Sequence, residues 1–487
     1  MPCTTVLVGP RASQDGSTMI ARTDDGHYDV KKLVVVEPKD QPRKYKSVGS
    51  RLEIPLPDQP MRYTACPSVD PSEGVWAATG INEAGVGMTA TETITTNPRV
   101  LAADPLVVLR KAENRREKDI PGGVGEEDFV VLVLPYIRTA REGVLRLAGL
   151  LETYGTCESN GIAFNDENEV WYMETVGGHH WIARKVPEDA VVIQPNQFGT
   201  DGFDLEDAFG AKEAHMCSAD LREFIAENHL DLNRDGRFNL RDIFGSCSDL
   251  DHIYNTPRAW FMGRYLTGLS RRWDGPGAEF TPESDNIPWC VKPDRKVTPE
   301  DVKYLLSSHY QGTPYDPYIS RDTGMRGMYR PIGINRTGVT SICQVRPGMP
   351  EAIRGIEWII FGPTTFAAAL PVYTGVRAMP KYLSRVTMDA STENWYWTSR
   401  MISALADSCY GATRREIERY EQAVAAKGRR LVREYDRKMT GSGDFSLAEE
   451  ANEKLAAMAR EEAGKALNAV LQAATENMKN GFSLSDN

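Results

Sequence analysis

The chain lacks the features that mark exported, membrane-spanning or disulfide-bonded proteins. No uninterrupted apolar run in its 487 residues approaches the roughly 20 residues that a membrane-spanning helix needs. The N-terminus has no charged start followed by an apolar stretch. The eight cysteines are widely scattered, without a close pair that suggests a zinc ligand set. We therefore expect a cytoplasmic protein with reduced thiols and no membrane partner.

Positive charge and histidine are also scarce. Lysine and arginine number 57 against 68 acidic residues, and the resulting net charge of −11 argues against a nucleic-acid partner. Of the seven histidines, His179 and His180 lie between a glycine pair and an apolar strand, and His252 and His309 lie in polar loops. None is well suited as the base of a cysteine–histidine catalytic pair.

The most informative residue present is Cys3, which directly precedes the apolar run Val6-Leu7-Val8. If Met1 and Pro2 are removed, one residue carries both a thiol and an α-amine. Such an amine has a pKa of about 7.7–8.0 and can accept the proton of the thiol. The simpler interpretation is a buried structural cysteine near the end of a strand. A methionine aminopeptidase can remove Met1, but Pro2 would still block the amine, so we expect the sequence as given to be the unprocessed form.

Short segments that follow Cys3 in a fixed order resemble a known enzyme superfamily. They are Arg22-Thr23-Asp24-Asp25, Gly80-Ile81-Asn82-Glu83-Ala84-Gly85-Val86, Asn196 within 193–197 and Arg258 within 255–260. Their order is similar to that of the cysteine N-terminal-nucleophile (Ntn) hydrolases, and closest to the dipeptidase A family, relatives of the bile-salt hydrolases and penicillin V acylases. The segments 309–316, 340–346 and 370–373 match the dipeptidase branch in particular, so the resemblance runs from Cys3 to about Asp407.

The resemblance implies a catalytic role for each of these residues. Arg22 would favour the thiolate of Cys3, and Asp25 would hold and polarise the α-ammonium. Asn82 and Asn196 would donate hydrogen bonds to the oxyanion, although either could instead be a plain turn residue. Arg258 would fix the surroundings of the nucleophile. The implied cycle passes through a thioester on Cys3 and requires no metal or other cofactor.

The pattern of short strands and interposed helices predicts an α+β fold. Strands are predicted at 4–8, 18–23, 33–36, 75–79, 85–91, 161–164, 169–174, 180–184 and 191–194. Helices are predicted at 105–112, with Asp104 as N-cap, and at 136–151, 204–226 and 298–307. This outline suggests two sheets packed face to face and covered by helices, and the resemblance implies the four-layer αββα sandwich.

Beyond about Arg400 the chain is rich in alanine, glutamate, lysine and arginine at helical spacing. Two long helices are predicted at 412–439 and 446–479, and the second carries an apolar stripe that needs a partner surface. We expect a catalytic domain over residues 1–407, of which 1–2 are removable, and a helical extension over 408–487 packed on it. Subunit contact is a second use for the stripe, and we expect a homo-oligomer.

A separate motif between helical stretches, at 231–242, matches the spacing of an EF-hand or dockerin-type calcium loop. Gly236 stands at loop position 6, and an apolar residue stands at position 8. The candidate ligands are Asp231, Asn233, Asp235, the carbonyl of Arg237, Asn239 and Asp242. We expect a structural calcium ion there, while a polar turn joining two helices is the simpler interpretation.

Three functions fit these observations. The first is a dipeptidase acting on short peptides with a free N-terminus. The second is an amide acylase of the bile-salt hydrolase or penicillin V acylase type. The third is a binding scaffold without catalysis, which the complete set around Cys3 disfavours.

Overall fold

The computed structural model describes residues 3–26, 29–114, 116–234, 236–319 and 321–478, without the side chains at positions 91 and 92. Met1 and Pro2, the predicted removable residues, lie outside the described part, as does the predicted calcium ligand Asp235.

The described strands run in chain order as follows: β1 Cys3–Val8, β2 Thr18–Asp24, β3 Val34–Val36, β4 Lys44–Lys46, β5 Glu53–Pro55, β6 Tyr63–Ala65, β7 Thr79–Ile81, β8 Gly87–Thr93, β9 Asn160–Asn165, β10 Val170–Thr175, β11 Trp181–Lys185, β12 Val191–Gln194, β13 His215–Cys217, β14 Cys290–Val291, β15 Val339–Val345, β16 Gly355–Phe361 and β17 Leu370–Tyr373.

The described α-helices are α1 Pro98–Ala103, α2 Phe129–Val133, α3 Ala140–Tyr154, α4 Leu205–Phe209, α5 Leu221–Glu227, α6 Leu240–Phe244, α7 Asp249–Tyr254, α8 Thr256–Thr267, α9 Pro299–Leu306, α10 Glu351–Arg354, α11 Lys381–Ser384, α12 Trp395–Ser408, α13 Tyr410–Ser442 and α14 Leu447–Glu476. None of them is both long and apolar enough to cross a lipid bilayer.

Two antiparallel sheets form the centre of the molecule. The first has the strand order β14-β12-β1-β2-β15-β16-β17, and the second has the order β13-β11-β10-β9-β8-β7. Strands β1, β2 and β15 of the first sheet pack against strands of the second. Helices α9 and α12 cover the first sheet, and α2 and α3 cover the second. Every residue of β1, β2 and β15 is buried because both faces of these strands are covered, and the predicted α+β class is confirmed.

The two long C-terminal helices, α13 and α14, pack on each other and on β17, the edge strand of the first sheet. The buried side chain of Asn452 in α14 donates from Nδ2 to the Tyr373 carbonyl and accepts from the Tyr373 N–H, each at 2.9 Å. An edge strand has backbone groups that need partners, and Asn452 satisfies two of them. The end of the second predicted helix, residue 479, lies outside the described residues.

Two of the predicted helices are wrong. Residues 105–112 form a loop, because Asp104 is the C-cap of α1 and not the N-cap of a second helix. Its carboxylate accepts the backbone N–H groups of His179 and His180, at 2.8 and 2.9 Å. The prediction for 204–226 covers α4, β13 and α5, because the Asp207 carboxylate accepts backbone N–H groups at 213–215 and turns the chain into a strand. The helix predicted at 136–151 begins later, at Ala140, where Thr139 is the N-cap.

Candidate active site

Cys3 is the first residue of β1 and is completely buried. Its two neighbouring strands are β2, where Asp24 stands opposite Cys3, and β12, which ends just before Asn196. The backbone N–H of Cys3 donates to Oδ1 of Asn196 at 3.0 Å. Because β1 lies between β2 and β12, Cys3, Asp24 and Asn196 meet at this end of the sheet although they are far apart in sequence.

Arg258 fixes the backbone of Cys3 from the first turn of α8. Its buried guanidinium donates to the Cys3 carbonyl, to the Thr4 hydroxyl at 2.8 Å and to Oδ1 of Asn196 at 2.8 Å. The Asn196 amide in turn donates to the Thr93 carbonyl at 2.8 Å. An amide carries two N–H donors, and the second one of Asn196 makes no hydrogen bond within the described residues.

A network of buried charges surrounds the thiol. The sulfur of Cys3, a carboxylate oxygen of Asp24 and a carboxylate oxygen of Glu126 lie within 4.8 Å of one another. The Arg22 guanidinium contacts Glu126 at 3.1 Å and Asp24 at 3.6 Å, and the Lys31 ammonium contacts Asp24 at 3.2 Å. Since these cations already neutralise the carboxylates, the cluster is poorly suited to a metal ion.

The pKa shifts in this network have consistent causes. Burial alone would lower the pKa of Arg22, but the nearby Cys3 thiolate, Asp24 and Glu126 raise it above its ordinary value. Burial alone would raise the pKa of Asp24, but the charges of Lys31 and Arg22 lower it. Electrostatic attraction is mutual, so the Arg22 cation also favours the thiolate form of Cys3.

Asp25 is linked to the backbone next to Cys3 through the Thr23 hydroxyl. Its carboxylate accepts from Arg330 at 2.5 Å, from the Thr337 hydroxyl at 2.7 Å and from the Thr23 hydroxyl at 3.2 Å. The same Thr23 hydroxyl accepts the N–H of Thr4 at 3.0 Å. Asp25 therefore supports the start of β1 through Thr23.

Asn82 occupies the turn between β7 and β8. Both of its amide hydrogens are engaged, by the carbonyls of Leu134 at 2.9 Å and Ile137 at 2.7 Å. Its oxygen accepts the N–H groups of Ala84 and Val86, at 3.1 and 3.0 Å. A side-chain donor role for Asn82 in catalysis would require bonds that stabilise this turn to break.

Sequence reasoning missed four residues of the site: Asp24, Glu126, Arg330 and Tyr254. The Tyr254 ring contacts two arginines of the site: the guanidinium carbons of Arg258 and Arg330 lie 5.2 and 5.1 Å from its centroid. The signal for Glu126 is the acidic run 126–128 directly before the apolar helix α2. Acidic residues in such a position are expected to be exposed, whereas all three are buried.

The predicted calcium loop has some of the expected local geometry. Gly236 has a φ of +74°, which a sharp loop turn requires. The N–H of Asn233 donates to the Asp231 carboxylate at 2.9 Å, and Asn239 caps α6 and donates to Asp242 at 2.8 Å. Calcium binding there stays a prediction.

Comparison with known proteins places these residues in a family context. Residues 2–423 match the family model described as Peptidase family C69. A protein named "Dipeptidase" from Bifidobacterium longum is 49% identical to this chain, with 100% of both chains covered. A "Probable dipeptidase A" from Streptococcus pyogenes serotype M18 is 49% identical, covering 99% of this chain and 98% of its own. A "Probable dipeptidase B" from Lactococcus lactis is 43% identical with the same coverage.

Proposed function

The chain belongs to peptidase family C69, and on that premise we propose that it is a dipeptidase that uses Cys3 as its nucleophile. The names of its relatives support dipeptide substrates. The single observation that carries the mechanism is the position of Cys3 at the start of β1, where its sulfur lies beside the Arg22–Glu126 ion pair and its backbone N–H binds the Asn196 side-chain oxygen.

Activation of the thiol begins with removal of residues 1–2, which frees the α-amine of Cys3. That amine accepts the thiol proton, and Arg22 stabilises the resulting thiolate. Asn196 holds the amine through its Oδ1 atom, and Arg258 holds the Cys3 carbonyl. Asp25 supports this arrangement through Thr23.

Acyl transfer then follows from these positions. The thiolate attacks the carbonyl carbon of the peptide bond, and the second N–H donor of Asn196 stabilises the oxyanion. The Cys3 ammonium gives its proton to the leaving amine, and a thioester forms on the sulfur. Water activated by the same amine releases the first amino acid. The two face-to-face sheets with helices on both outer sides support placing the chain among the αββα Ntn hydrolases.

The test is hydrolysis of a dipeptide panel by the wild-type chain and by Cys3→Ala. We expect Cys3→Ala to lose all activity and Cys3→Ser to keep a small part of it. Cys217→Ala is the matched control, because Cys217 is also buried but lies on β13, the edge strand of the other sheet. Full activity of Cys3→Ala would refute the mechanism.

The acylase alternative is tested with penicillin V and a glycine-conjugated bile salt as substrates. A dipeptidase should hydrolyse the dipeptides much faster than either of these amides, because neither presents a free ammonium next to the scissile carbonyl. Faster hydrolysis of either amide would favour the acylase.

A further inference from the structure

A dipeptide with a free N-terminus brings a positive charge close to the reacting sulfur. The amine nitrogen and the carbonyl carbon of one residue are about 2.5 Å apart, and the reacting atoms approach to about 3–3.5 Å. The ammonium therefore lies within about 6 Å of the sulfur when the thiolate attacks. A charged hydrogen bond of about 2.8 Å then places its carboxylate partner within about 9 Å of the sulfur.

The Glu126 carboxylate meets this distance requirement, with an oxygen within 4.8 Å of the Cys3 sulfur. Asp24 is equally close, but Lys31 and Arg22 both contact it, so its charge is already balanced. Asp25 is paired with Arg330. Glu126 is paired with Arg22, but its backbone N–H also binds a further carboxylate, that of Glu158.

A second carboxylate lies beside Glu126. The half-buried Glu158 accepts the backbone N–H of Glu126 through Oε1 at 2.6 Å. No ion pair among the described residues includes Glu158, whereas Glu126 pairs with Arg22. Burial and the neighbouring charge of Glu126 raise the pKa of Glu158. Arg22 already pairs with Glu126, so Glu158 is the carboxylate of the two that an added ammonium would balance.

A buried amide completes the set. Asn160 is 0% exposed, and its side-chain oxygen makes no hydrogen bond within the described residues. The Asn160 amide lies close enough to Glu158 to favour its charged form. Asn160 also stands opposite Thr93, whose carbonyl binds the Asn196 amide beside Cys3. A buried amide oxygen without a partner is costly, and an N–H donor of a bound ligand would supply the missing bond.

We propose that Glu126, Glu158 and the Asn160 side-chain oxygen bind the α-ammonium of the dipeptide's first residue. This inference rests on the proposed dipeptidase function and names the part of the site that selects substrates with a free N-terminus. An ammonium group has three N–H donors, and these three side chains provide three acceptors. Because these acceptors lie near the Cys3 sulfur, the peptide bond that is cut must be the one that follows the residue with the free amine.

The experiment compares kcat/KM for one dipeptide and for the same dipeptide acetylated on its amine. We expect Glu158→Gln to lower kcat/KM for the free dipeptide by about 10- to 100-fold. The value for the acetylated peptide should change much less, so that the ratio of the two falls. Glu126→Gln should act in the same direction, and so should Asn160→Leu.

Glu127→Gln is the matched control. Glu127 is a buried neighbour of Glu126, but its carboxylate binds the Ser47 hydroxyl and backbone N–H groups at 48 and 49. Its loss should lower stability and leave the ratio between the two peptides unchanged. Glu126→Gln also removes a partner of Arg22. If the Glu126→Gln variant does not fold, Glu158→Gln and Asn160→Leu still test the proposal.

Two different failures can be distinguished. If the wild type hydrolyses the free dipeptide through Cys3 and all three variants keep its preference, the ammonium site is refuted and the dipeptidase proposal stands. If the wild type hydrolyses neither peptide, or Cys3→Ala hydrolyses both, the dipeptidase proposal itself is refuted.

Discussion

Replacing Arg22 by glutamine should make the Cys3 thiolate harder to form. The Glu126 carboxylate lies within 4.8 Å of the sulfur and 3.1 Å from the guanidinium. At a separation of about 8 Å and an effective dielectric constant of about 20, two unit charges interact by about 2 kcal/mol. That free energy corresponds to about 1.5 pH units. We therefore expect the pH at which the thiol becomes reactive to move upward by about that amount.

The assay is alkylation by iodoacetamide as a function of pH, with the modified cysteine identified by peptide mass mapping. Arg22→Lys keeps the charge and should keep the wild-type profile to within about 0.5 pH unit. The exposed Cys247 is an internal reference that should not change between variants. Removing one partner of a buried ion pair costs about 3–5 kcal/mol, so the fold of each variant is checked by thermal melting. An Arg22→Gln variant that folds and keeps the wild-type profile at Cys3 would refute this account of the thiolate.

Three further predictions concern the two asparagines Asn196 and Asn82, the calcium loop and Asp104. Asn196→Ala should lower kcat by about 10²-fold or more, whereas Asn82→Ala should mainly lower the melting temperature; equal losses of kcat would contradict the proposed donor. Equilibrium dialysis should show one calcium ion bound to the wild type and weaker binding to Asp231→Ala; identical binding in both would exclude the site. Burial opposes ionisation of Asp104, but hydrogen bonds from His180 and the backbone lower its pKa to about 2. Its stabilising contribution is therefore present above about pH 4 and is lost as the pH falls toward 2. Asp104→Asn should cost about 1–2 kcal/mol in urea unfolding at neutral pH, and no loss would refute this role.

The parts of the fold that could be predicted are those with a local signal. The strand predicted at 191–194 is β12, with the same bounds, because its apolar run is short and ends at a proline. Helix α9 was predicted to within one residue at each end, because Thr298 and Asp301 form a capping box. The helix predicted at 105–112 rested on Asp104 as N-cap, but the Asp104 carboxylate binds the backbone N–H of His179, 75 positions away, which no local pattern indicates.

The same distinction applies to the site. Cys3, Arg22 and Asn196 stand in or next to strands whose order in the sheet brings them together, and the resemblance points to each of them. The partner of Arg22, Glu126, lies 104 positions further along the chain, and the partner of Asp25, Arg330, lies 305 positions away. Ion pairs over such distances leave no periodicity in a sequence. These ion pairs can be identified only from the folded structure, in which distant segments of the chain are packed together.

The central claim is that Cys3 forms a covalent acyl-enzyme after residues 1–2 are removed. The most direct measurement is the intact mass of the active enzyme, quenched by acid during turnover of a dipeptide. We predict a chain that begins at Cys3, with a fraction heavier by the mass of one aminoacyl group attached to that residue. An active enzyme that retains residues 1–2, or a fully active Cys3→Ala variant, would contradict the claim.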